Sequence, residues 1–309
     1  MHWSVIVCTY NRAYDLANTV TSLSSLDYAS NLFEVIIVDN ASSDNTEGMS
    51  NSLKSSVSNL VYVREDQPGL SHARNRGVAS ARGDFIAFID DDAWPDENWL
   101  QKLDEGFRDP RVGCIGGKVV PFFEGTAGWP DWLHPRLYGF FTVVDYGDRK
   151  SLHYPTYPAG TNMAFRRDIF KQVGLFRQDL GRIGESLLSM EETDLCLRVE
   201  GAGYSIEFLP EAVVHHKVHE ERLSREWIRQ RSYWQGVSAA VLDKDFGRGY
   251  MVKKTLKYLV FLTAAAIGEI GFRMLGNYKN ALFCSCQAEL CRGYLGRIWK
   301  DIQGKEVRR

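Results

Sequence analysis

The cysteines of this chain form no recognisable framework. Six are present in 309 residues, and their spacing matches neither a disulfide scaffold nor paired C-x-x-C zinc ligands. The N-terminus also lacks the basic segment, apolar core and small-residue cleavage site of a secretory signal, and a strand is expected from Trp3. These absences argue against a disulfide-stabilised secreted domain and predict free thiols in a reducing cytosol.

Two common glycine-rich phosphate-binding loops are also missing. No G-x-G-x-x-G follows the first predicted strand, and no G-x-x-x-x-G-K-[ST] occurs anywhere in the chain. The sequence therefore has neither the dinucleotide-binding fingerprint nor a P-loop. A phosphorylated ligand would have to be held in another way, most simply by a metal ion.

Long apolar runs are scarce, and the charge is unevenly distributed. The most apolar stretch, Tyr258–Gly268, has only about half of the ~20 residues needed to cross a bilayer. The net charge of −2 combines +8 in the segment from Arg248 to the end with −10 in the rest. We expect this basic segment to form a helical hairpin that packs on itself, on a second subunit or in a membrane interface.

What the chain does contain is a regular alternation of apolar and amphipathic segments. The apolar segments are interpreted as the strands Ser4–Cys8, Glu34–Val38, Leu60–Val63 and Phe85–Ile89. Helical spacing of apolar residues lies between them, most clearly over Leu70–Ala81. Strands that are almost wholly apolar and alternate with helices predict right-handed βαβ units and a parallel sheet.

Three consecutive carboxylates, Asp90, Asp91 and Asp92, follow the fourth predicted strand. Their like charges would repel one another at the end of a buried strand, and a divalent cation would relieve this because hard cations prefer carboxylate oxygens. Open α/β sheets also bind their ligands at the carboxyl ends of strands. The alternative is that Asp92 only caps a helix beginning near Pro95, although a cap requires one Asp and not three.

Polar residues follow the other predicted strands as well. Thr9, Tyr10 and Asn11 come after the first strand, and Asp39 comes after the second. Because the carboxyl ends of parallel strands share one edge of the sheet, we expect these residues and the three aspartates to meet at one rim. The sequence thus predicts a nucleotide-sized pocket that is polar at its rim and apolar behind.

These polar turns belong to a longer series of motifs that resembles a known family. The motifs are SVIVCTYNR (Ser4–Arg12), VIIVDNASSD (Val35–Asp44), GLSHARNRG (Gly69–Gly77), GDFIAFIDDD (Gly83–Asp92), GTNMAFR (Gly160–Arg166) and MEETDLCLR (Met190–Arg198). In number, order and spacing they resemble the inverting family 2 glycosyltransferases of the GT-A fold, over roughly residues 3–235. The resemblance implies an α/β catalytic domain over residues 1–222, with a mostly parallel central sheet flanked by helices, and a C-terminal helical region over residues 223–309.

The resemblance also implies a nucleoside-diphospho-sugar donor and a metal. The residues implied for the donor are Thr9, Tyr10, Asn11, Arg12, Asp39, Arg74, Asn75, Asp90, Asp91, Gly160 and Asn162. A carboxylate at Asp39 can accept a hydrogen bond from N3–H of uracil or thymine, which favours a UDP or dTDP donor. Asp92 is the implied ligand of Mn²⁺ or Mg²⁺, with His216 as a second ligand and His215 as the alternative.

An inverting transfer needs a side chain that takes the proton of the acceptor hydroxyl. The family places this base in a Glu-Asp pair that opens a helix. The corresponding pair here is Glu191 and Glu192, so the resemblance implies Glu192 as the base and leaves Glu191 as its rival. A helix N-terminus rich in acids would also be favoured by the helix dipole without any catalysis.

The implied acceptor is a cell-surface glycan or a lipid-linked glycan. The enzyme would then be cytoplasmic or peripheral on the inner face of the cell membrane, and a homodimer is a further expectation. No nucleic-acid partner is expected.

A sugar nucleotidyltransferase is an alternative, but its basic glycine-rich loop after the first strand is missing. A catalytically silent nucleotide-sugar-binding or scaffold protein is the other alternative, because Glu-Glu replaces Glu-Asp.

Overall fold

The computed structural model describes residues 3–55, 57–125, 128–184 and 186–304. The chain divides into two compact units. The first contains Met1–Phe122, Thr142–Gln178 and Glu191–Lys217, and the second contains Phe123–Phe141, Asp179–Met190 and Val218–Arg309. The domain boundary predicted between residues 222 and 223 stays a prediction. The compact units differ from it because two segments from the middle of the chain belong with the C-terminal helices.

Within the described residues, every strand lies in the first unit. In chain order the strands are β1 Trp3–Thr9, β2 Phe33–Asp39, β3 Leu60–Arg64, β4 Phe85–Asp90, β5 Ala93–Pro95, β6 Val112–Phe122, β7 Lys150–Leu152, β8 Met163–Arg166 and β9 Ser205–Lys217. The first four agree with the strands predicted from their apolar runs. Their composition fits burial on both faces, since every residue of β2 is buried.

These strands form one mixed sheet in the order β3-β2-β1-β4-β8-β6-β9-β5, with β7 paired to β9. The strands β3, β2, β1 and β4 run parallel. The strand β8 lies antiparallel between β4 and β6, and β6 runs parallel to β9. The prediction of a mostly parallel α/β sheet is confirmed, and the antiparallel β8 is an addition that the sequence pattern does not indicate.

The helices of the first unit cover both faces of this sheet. They are α1 Ala13–Ser24, α2 Thr46–Leu53, α3 Leu70–Ser80, α4 Trp99–Gly106, α5 Ile169–Val173 and α6 Glu191–Gly201. Alternate residues of β1 enter two different apolar clusters. Val5 and Val7 pack with α1 and α4, whereas Ile6 packs with α3 and α6. Each large aliphatic side chain buried in this way contributes about 1.5–3 kcal/mol to folding.

The strand β5 separates Asp92 from the following helix. The helix α4 begins at Trp99, and Asn98 occupies its N-cap position. The alternative in which Asp92 only caps a helix is therefore wrong. Pro95 ends β5 and does not open the helix, because β5 pairs antiparallel with β9 at Ala93, Trp94 and Pro95.

The second unit is helical, as predicted for the C-terminal region. Its helices are α7 Arg225–Asp243, α8 Arg248–Met274 and α9 Tyr278–Ile302. A 3-10 helix from the middle of the chain, Pro135–Phe141, belongs to the same unit. A Cβ atom on Gly236 of α7 would overlap the backbone of α9, and one on Gly293 of α9 would overlap the backbone of α7. These two helices therefore pack backbone to backbone, which only glycine permits at both positions.

Candidate active site at the carboxyl edge of the sheet

The register of the parallel strands brings their polar ends to one level. Thr9 at the end of β1 lies opposite Asp39 at the end of β2, and Cys8 lies opposite Asp90 at the end of β4. The hydroxyl of Thr9 donates a hydrogen bond of 2.7 Å to the buried carboxylate of Asp91. The structure thus brings the ends of β1, β2 and β4 to a common rim, where Thr9 contacts Asp91 directly.

An Asp-Asp-His group forms the most acidic part of this rim. One potential ligand atom from each of Asp90, Asp92 and His216 lies within 4.8 Å of the other two. Nε2 of His216 is 3.2 Å from the carboxylate of Asp92 and 3.8 Å from that of Asp90. The antiparallel pairing of β5 with β9 sets Ala93 opposite His216, and this register carries the imidazole to the aspartates.

These residues fit a divalent cation. Asp92 and His216 are each only 3% exposed, so the charge of the carboxylate is poorly screened by water. Burial and the neighbouring charge of Asp92 raise the pKa of Asp91 to about 7, although the attraction of Arg12 opposes this. A buried cluster that resists ionisation is stabilised by an added positive charge, and carboxylate oxygens with an imidazole suit Mn²⁺ or Mg²⁺.

Arg12 supplies part of the positive charge at the rim. Its Nη1 atom lies 2.7 Å from the carboxylate of Asp92 and 3.1 Å from that of Asp91. The Arg12 side chain is 31% exposed, so it reaches the aspartates from the solvent side. Arg12, a residue predicted to contact the donor, is thus adjacent to the Asp-Asp-His group.

His215, the alternative ligand, lies with different partners. Its Nε2 atom is 2.8 Å from the carboxylate of Asp96, and its ring stacks on Trp94 at 6.2 Å between centroids. Adjacent residues in a strand point to opposite faces, so His215 and His216 cannot both face the same group. Of the two histidines, only His216 has a ring nitrogen beside Asp90 and Asp92.

The carboxylate of Asp39 is fully buried and has several donors. One oxygen accepts a hydrogen bond from the backbone N–H of Ser42 at 2.8 Å. The other accepts from the hydroxyl of Tyr62 at 2.8 Å and from Arg64 at 3.2 Å. Burial and the charge of Asp39 raise the pKa of Tyr62 to about 12. Tyr62 and Arg64 are not among the predicted site residues, although both lie on β3, the strand next to Asp39.

The turn after β1 is fixed by Asn11. This residue has a φ of 54°, in the left-handed region that asparagine tolerates better than most residues. Its side-chain oxygen accepts from the backbone N–H of Ser43 at 2.7 Å and of Asp44 at 3.3 Å. Tyr10, in contrast, is 55% exposed. Asn11 thus ties two loops together, and Tyr10 is the accessible aromatic ring of this turn.

A buried ion pair joins α3 to the start of α6. Nη1 of Arg74 lies 2.6 Å from the carboxylate of Glu191, and both side chains are only 4% exposed. The guanidinium of Arg74 also stacks on the rings of Phe88 and Phe176, at 5.9 and 5.4 Å. A Cβ atom at Gly160 would overlap Nη2 of Arg74. Gly160 is therefore required for Arg74 to occupy this position.

Glu192 has a different environment from Glu191. Oε2 of both glutamates is buried without a hydrogen-bond partner among the described residues, but only Glu191 has its other oxygen paired with Arg74. Burial, followed by the charge of Glu191, raises the pKa of Glu192 to about 8, and the more distant Arg74 only partly offsets this. A carboxylate with a pKa near the working pH suits a proton acceptor.

Two of the predicted donor residues have their side-chain amides engaged elsewhere. Asn75 donates to the backbone oxygen of Phe176 and accepts from its N–H, both at 2.9 Å. The amide of Asn162 donates to the carbonyls of Lys118 and Ala212 and accepts from Nε1 of Trp99. The donor contacts predicted for both residues stay predictions, but both side chains already hold backbone segments together.

Several proteins are similar to this chain over most of its length. A family model described as glycosyl transferase family 2 matches residues 4–174. The glucosyl-dolichyl phosphate glucuronosyltransferase of Haloferax volcanii is 28% identical over 270 residues, which are 84% of this chain and 85% of that protein. The succinoglycan biosynthesis protein ExoM of Rhizobium meliloti is 30% identical over 240 residues, which are 76% of this chain and 73% of that protein.

The fold has a counterpart among solved structures. The mannosyltransferase PcManGT from Pyrobaculum calidifontis, in complex with GDP-Man and Mn²⁺, matches with a TM-score of 0.68 and 20% identity. The match covers 97% of this chain and 87% of that one. At this identity the similarity shows a common fold.

The sheet, the acidic rim and these similarities define the protein as a glycosyltransferase with the GT-A fold. More particularly, the chain belongs to glycosyl transferase family 2. The family resemblance stated from the motifs is thereby confirmed, as is the expectation of a glycosyltransferase enzyme. A sugar nucleotidyltransferase and a silent scaffold protein, the two alternatives, are not what the family match supports.

Proposed function

We propose that this protein is a metal-dependent inverting glycosyltransferase. It transfers a sugar from a UDP- or dTDP-sugar to a hydroxyl of a cell-surface glycan or a lipid-linked glycan. The observation that carries the proposal is the pairing of two features in one unit. These are an Asp-Asp-His group and a separate, half-buried carboxylate, Glu192, whose pKa of about 8 suits a base.

Asp90, Asp92 and His216 would hold the metal. When bound, Mn²⁺ or Mg²⁺ supplies positive charge that stabilises the diphosphate leaving group. The chain itself contributes Arg12, whose contacts with Asp91 and Asp92 keep a cation beside these acids. The complex of PcManGT with GDP-Man and Mn²⁺ supports a metal role for this group in the present chain.

The nucleotide base is proposed to lie against Asp39. Its Oδ1 atom accepts from Ser42, and Oδ2 is engaged by both Tyr62 and Arg64. Each carboxylate oxygen has two lone pairs, so Oδ1 keeps one acceptor position for a ring N–H. Uracil and thymine present such a donor at N3. The exposed ring of Tyr10 lies on the neighbouring loop, where it could stack on the base.

Glu192 is proposed as the general base. The acceptor oxygen attacks the anomeric carbon, a new C–O bond forms, and the bond to the diphosphate breaks with its electron pair. The acceptor proton passes to the Glu192 carboxylate in the same step, and attack from the opposite side inverts the anomeric configuration. Glu191 is committed to Arg74 and acts as a positioning residue, whose charge raises the pKa of its neighbour.

The names of the relatives support the proposed acceptor. One relative is named for glucosyl-dolichyl phosphate and another for succinoglycan biosynthesis, so lipid-linked and polysaccharide acceptors both have a precedent. We infer that the protein works in the cytoplasm, peripherally at the inner face of the cell membrane. A homodimer is compatible with this location and is tested below together with membrane contact.

A donor panel tests the proposal. UDP-, dTDP- and GDP-sugars are incubated with the full chain and Mn²⁺, and nucleotide release and the anomeric configuration of the product are measured. We expect turnover of one UDP- or dTDP-sugar, its loss in EDTA and an inverted product. A retained configuration, undiminished turnover in EDTA or a preference for a GDP-sugar would each contradict a part of the proposal.

A further inference from the structure

The helix α8 presents an apolar stripe to the solvent. Seven aliphatic or methionine side chains along it are between 48% and 83% exposed. They are Val252, Leu256, Leu259, Val260, Ile267, Ile270 and Met274, here called the outer stripe. At 100° per residue these positions fall on one side of the helix. The stripe extends for about 33 Å, since an α-helix rises 1.5 Å per residue.

The outer stripe is not packed in the core of a helix bundle. Among the described helices, Arg248–Met274 is the one long and apolar enough to cross a membrane by length and composition. Only 6% of its most apolar window is buried. Contiguous apolar surface of this extent on a monomer marks an interaction site.

The opposite side of α8 is already occupied. The ring of Tyr258 stacks on that of Tyr294 of α9, with 4.1 Å between centroids and 6° between planes. Ala265 is buried, and a Cβ atom on Gly268 would lie 3.1 Å from the sulfur of Cys284. A partner can therefore reach α8 from one side only. This geometry fits a helix that lies along a surface better than one that is surrounded by lipid.

The charges beside the stripe identify the kind of surface. Lys253 and Lys257 are exposed, and neither has an anionic partner among the described residues. Arg248 lies at the start of the helix, and Arg273 near its end is ion-paired with Glu269 at 2.7 Å. The outer stripe itself contains no acidic residue. A second copy of this chain would set like charges against each other. An anionic lipid surface is complementary to both the lysines and the stripe.

A groove lies on the other side of α8, facing away from the outer stripe. It lies between α8 and α9, has a volume of about 430 Å³ and is lined mainly by apolar atoms of both helices. Lys254 and Lys257 also line it, with the ammonium of Lys257 5.2 Å from the ring of Phe261. Because Tyr258 and Ala265 line it, this groove belongs to the α9-facing side of the helix and is not part of the outer stripe.

We propose that the outer stripe of α8 docks on the headgroup–acyl boundary of a bilayer that contains anionic lipids. The aliphatic side chains enter the acyl region, and Lys253 and Lys257 meet lipid phosphates. The proposal stands on the geometry and charge of the second unit and does not depend on the sugar-transfer chemistry.

Vesicle flotation of the full chain tests this docking. Vesicles of phosphatidylcholine alone and with phosphatidylglycerol are used, without donor, metal or acceptor. We expect strong binding to the anionic vesicles and weak binding to the neutral ones. Ile267→Glu should lower the partition coefficient by about 10-fold or more, because it removes buried apolar area. Lys253→Gln with Lys257→Gln should lower it by about 30-fold, from ~1 kcal/mol for each lysine.

Matched controls separate docking from folding. Leu175→Glu changes an exposed leucine of the first unit, and Lys171→Gln removes an exposed lysine there. Both should bind vesicles like the wild type, and all variants should keep the wild-type melting temperature within a few degrees. Nucleotide-sugar hydrolysis by the Ile267→Glu variant should be unchanged, so a failure of docking and a failure of catalysis give different results.

Three outcomes would overturn the proposal. The first is no binding to anionic vesicles. The second is binding that Ile267→Glu leaves unchanged. The third is absence of vesicle binding together with a dimer, seen by sedimentation, that Ile267→Glu dissociates, because the stripe would then be the contact of a second copy.

Discussion

The first unit buries carboxylates in two places and balances their charge in different ways. At the end of β4, Asp91 and Asp92 share the guanidinium of Arg12, which is 31% exposed. At the start of α6, Glu191 pairs with Arg74, which is only 4% exposed and lies between two aromatic rings. The first cation is accessible to water and to ligands, whereas the second is enclosed in the protein.

This difference suggests two different uses of buried acids. A cluster that is balanced by one partly exposed arginine can take up an exchangeable cation, so its charge can depend on metal and donor. In the glutamate pair, one enclosed arginine can neutralise only one of the two carboxylates, so the two acids have different electrostatic environments. Glu191 is ion-paired, and Glu192 is left with a raised pKa. One acid can then act as a proton acceptor while its neighbour is structural.

Breaking the enclosed pair should have the largest effect. Arg74→Met leaves Glu191 buried without a cation, and we expect the free energy of unfolding to fall by about 3–5 kcal/mol in urea denaturation. The control is Arg111→Met, which removes an exposed partner of Asp109 and should change the free energy of unfolding far less, because solvent screens this pair. Equal losses in the two variants would show that Arg74 is no more structural than a surface arginine.

Removing the His216 imidazole should weaken Mn²⁺ binding, whereas removing the His215 imidazole should not. His216→Ala deletes a proposed ligand, and we expect the Mn²⁺ dissociation constant to rise by about 10- to 100-fold or more, as for loss of residues that support a metal. His215→Ala should leave it close to the wild-type value, because that ring faces Asp96. Calorimetric titration with Mn²⁺ alone measures both. A larger loss from His215→Ala would reverse the assignment.

The smallest effect is a shift in the pH dependence. The Glu192 carboxyl must be ionised to accept a proton, so kcat/KM should rise with pH and level off above a midpoint near its pKa of about 8. Glu191→Gln removes a neighbouring negative charge that raises this pKa, so the midpoint should move to lower pH. Glu200→Gln, on the same helix but bonded to Tyr157 and His153, is the control. A midpoint that rises in Glu191→Gln has the wrong sign for this account.

The parallel half of the sheet could be predicted because its signal is local. The segments of β1, β2 and β4 are almost wholly apolar and end in polar residues, and the parallel topology then places those ends together. The Asp-Asp-His group adds one long-range step, since His216 comes from β9. The family spacing indicates that histidine, and the pairing of β5 with β9 gives the physical reason.

Other features depend on contacts that no local pattern reports. Glu191 and Glu192 are equivalent as sequence neighbours, and only Arg74, which is 117 positions away, makes them different. Tyr62 and Arg64 bind Asp39 because β3 pairs with β2 in one register, which the sequence does not specify. Both asparagines predicted for the donor, Asn75 and Asn162, are engaged with distant backbone groups.

The length of α8 is also set by contacts that the sequence pattern does not indicate. The apolar run Tyr258–Gly268 is only about half as long as a bilayer span, and Lys253, Lys254 and Lys257 precede it. The structure has a helix of 27 residues, Arg248–Met274. Lys254 is accommodated because its ammonium lies 2.8 Å from the buried carboxylate of Asp243. A hydropathy average counts Lys254 as an interruption of the apolar run, although Lys254 is ion-paired with Asp243 inside the helical unit.

The most direct test of the central claim is the single-turnover rate of sugar transfer in Glu192→Gln and Glu191→Gln, with donor affinity measured in parallel. We predict that Glu192→Gln lowers the rate by about 10²–10⁴-fold with donor affinity unchanged, since it removes the general base. Glu191→Gln should keep most of the rate at temperatures below its melting transition. A Glu192→Gln variant with the full rate, beside an inactive but folded Glu191→Gln, would contradict the assignment.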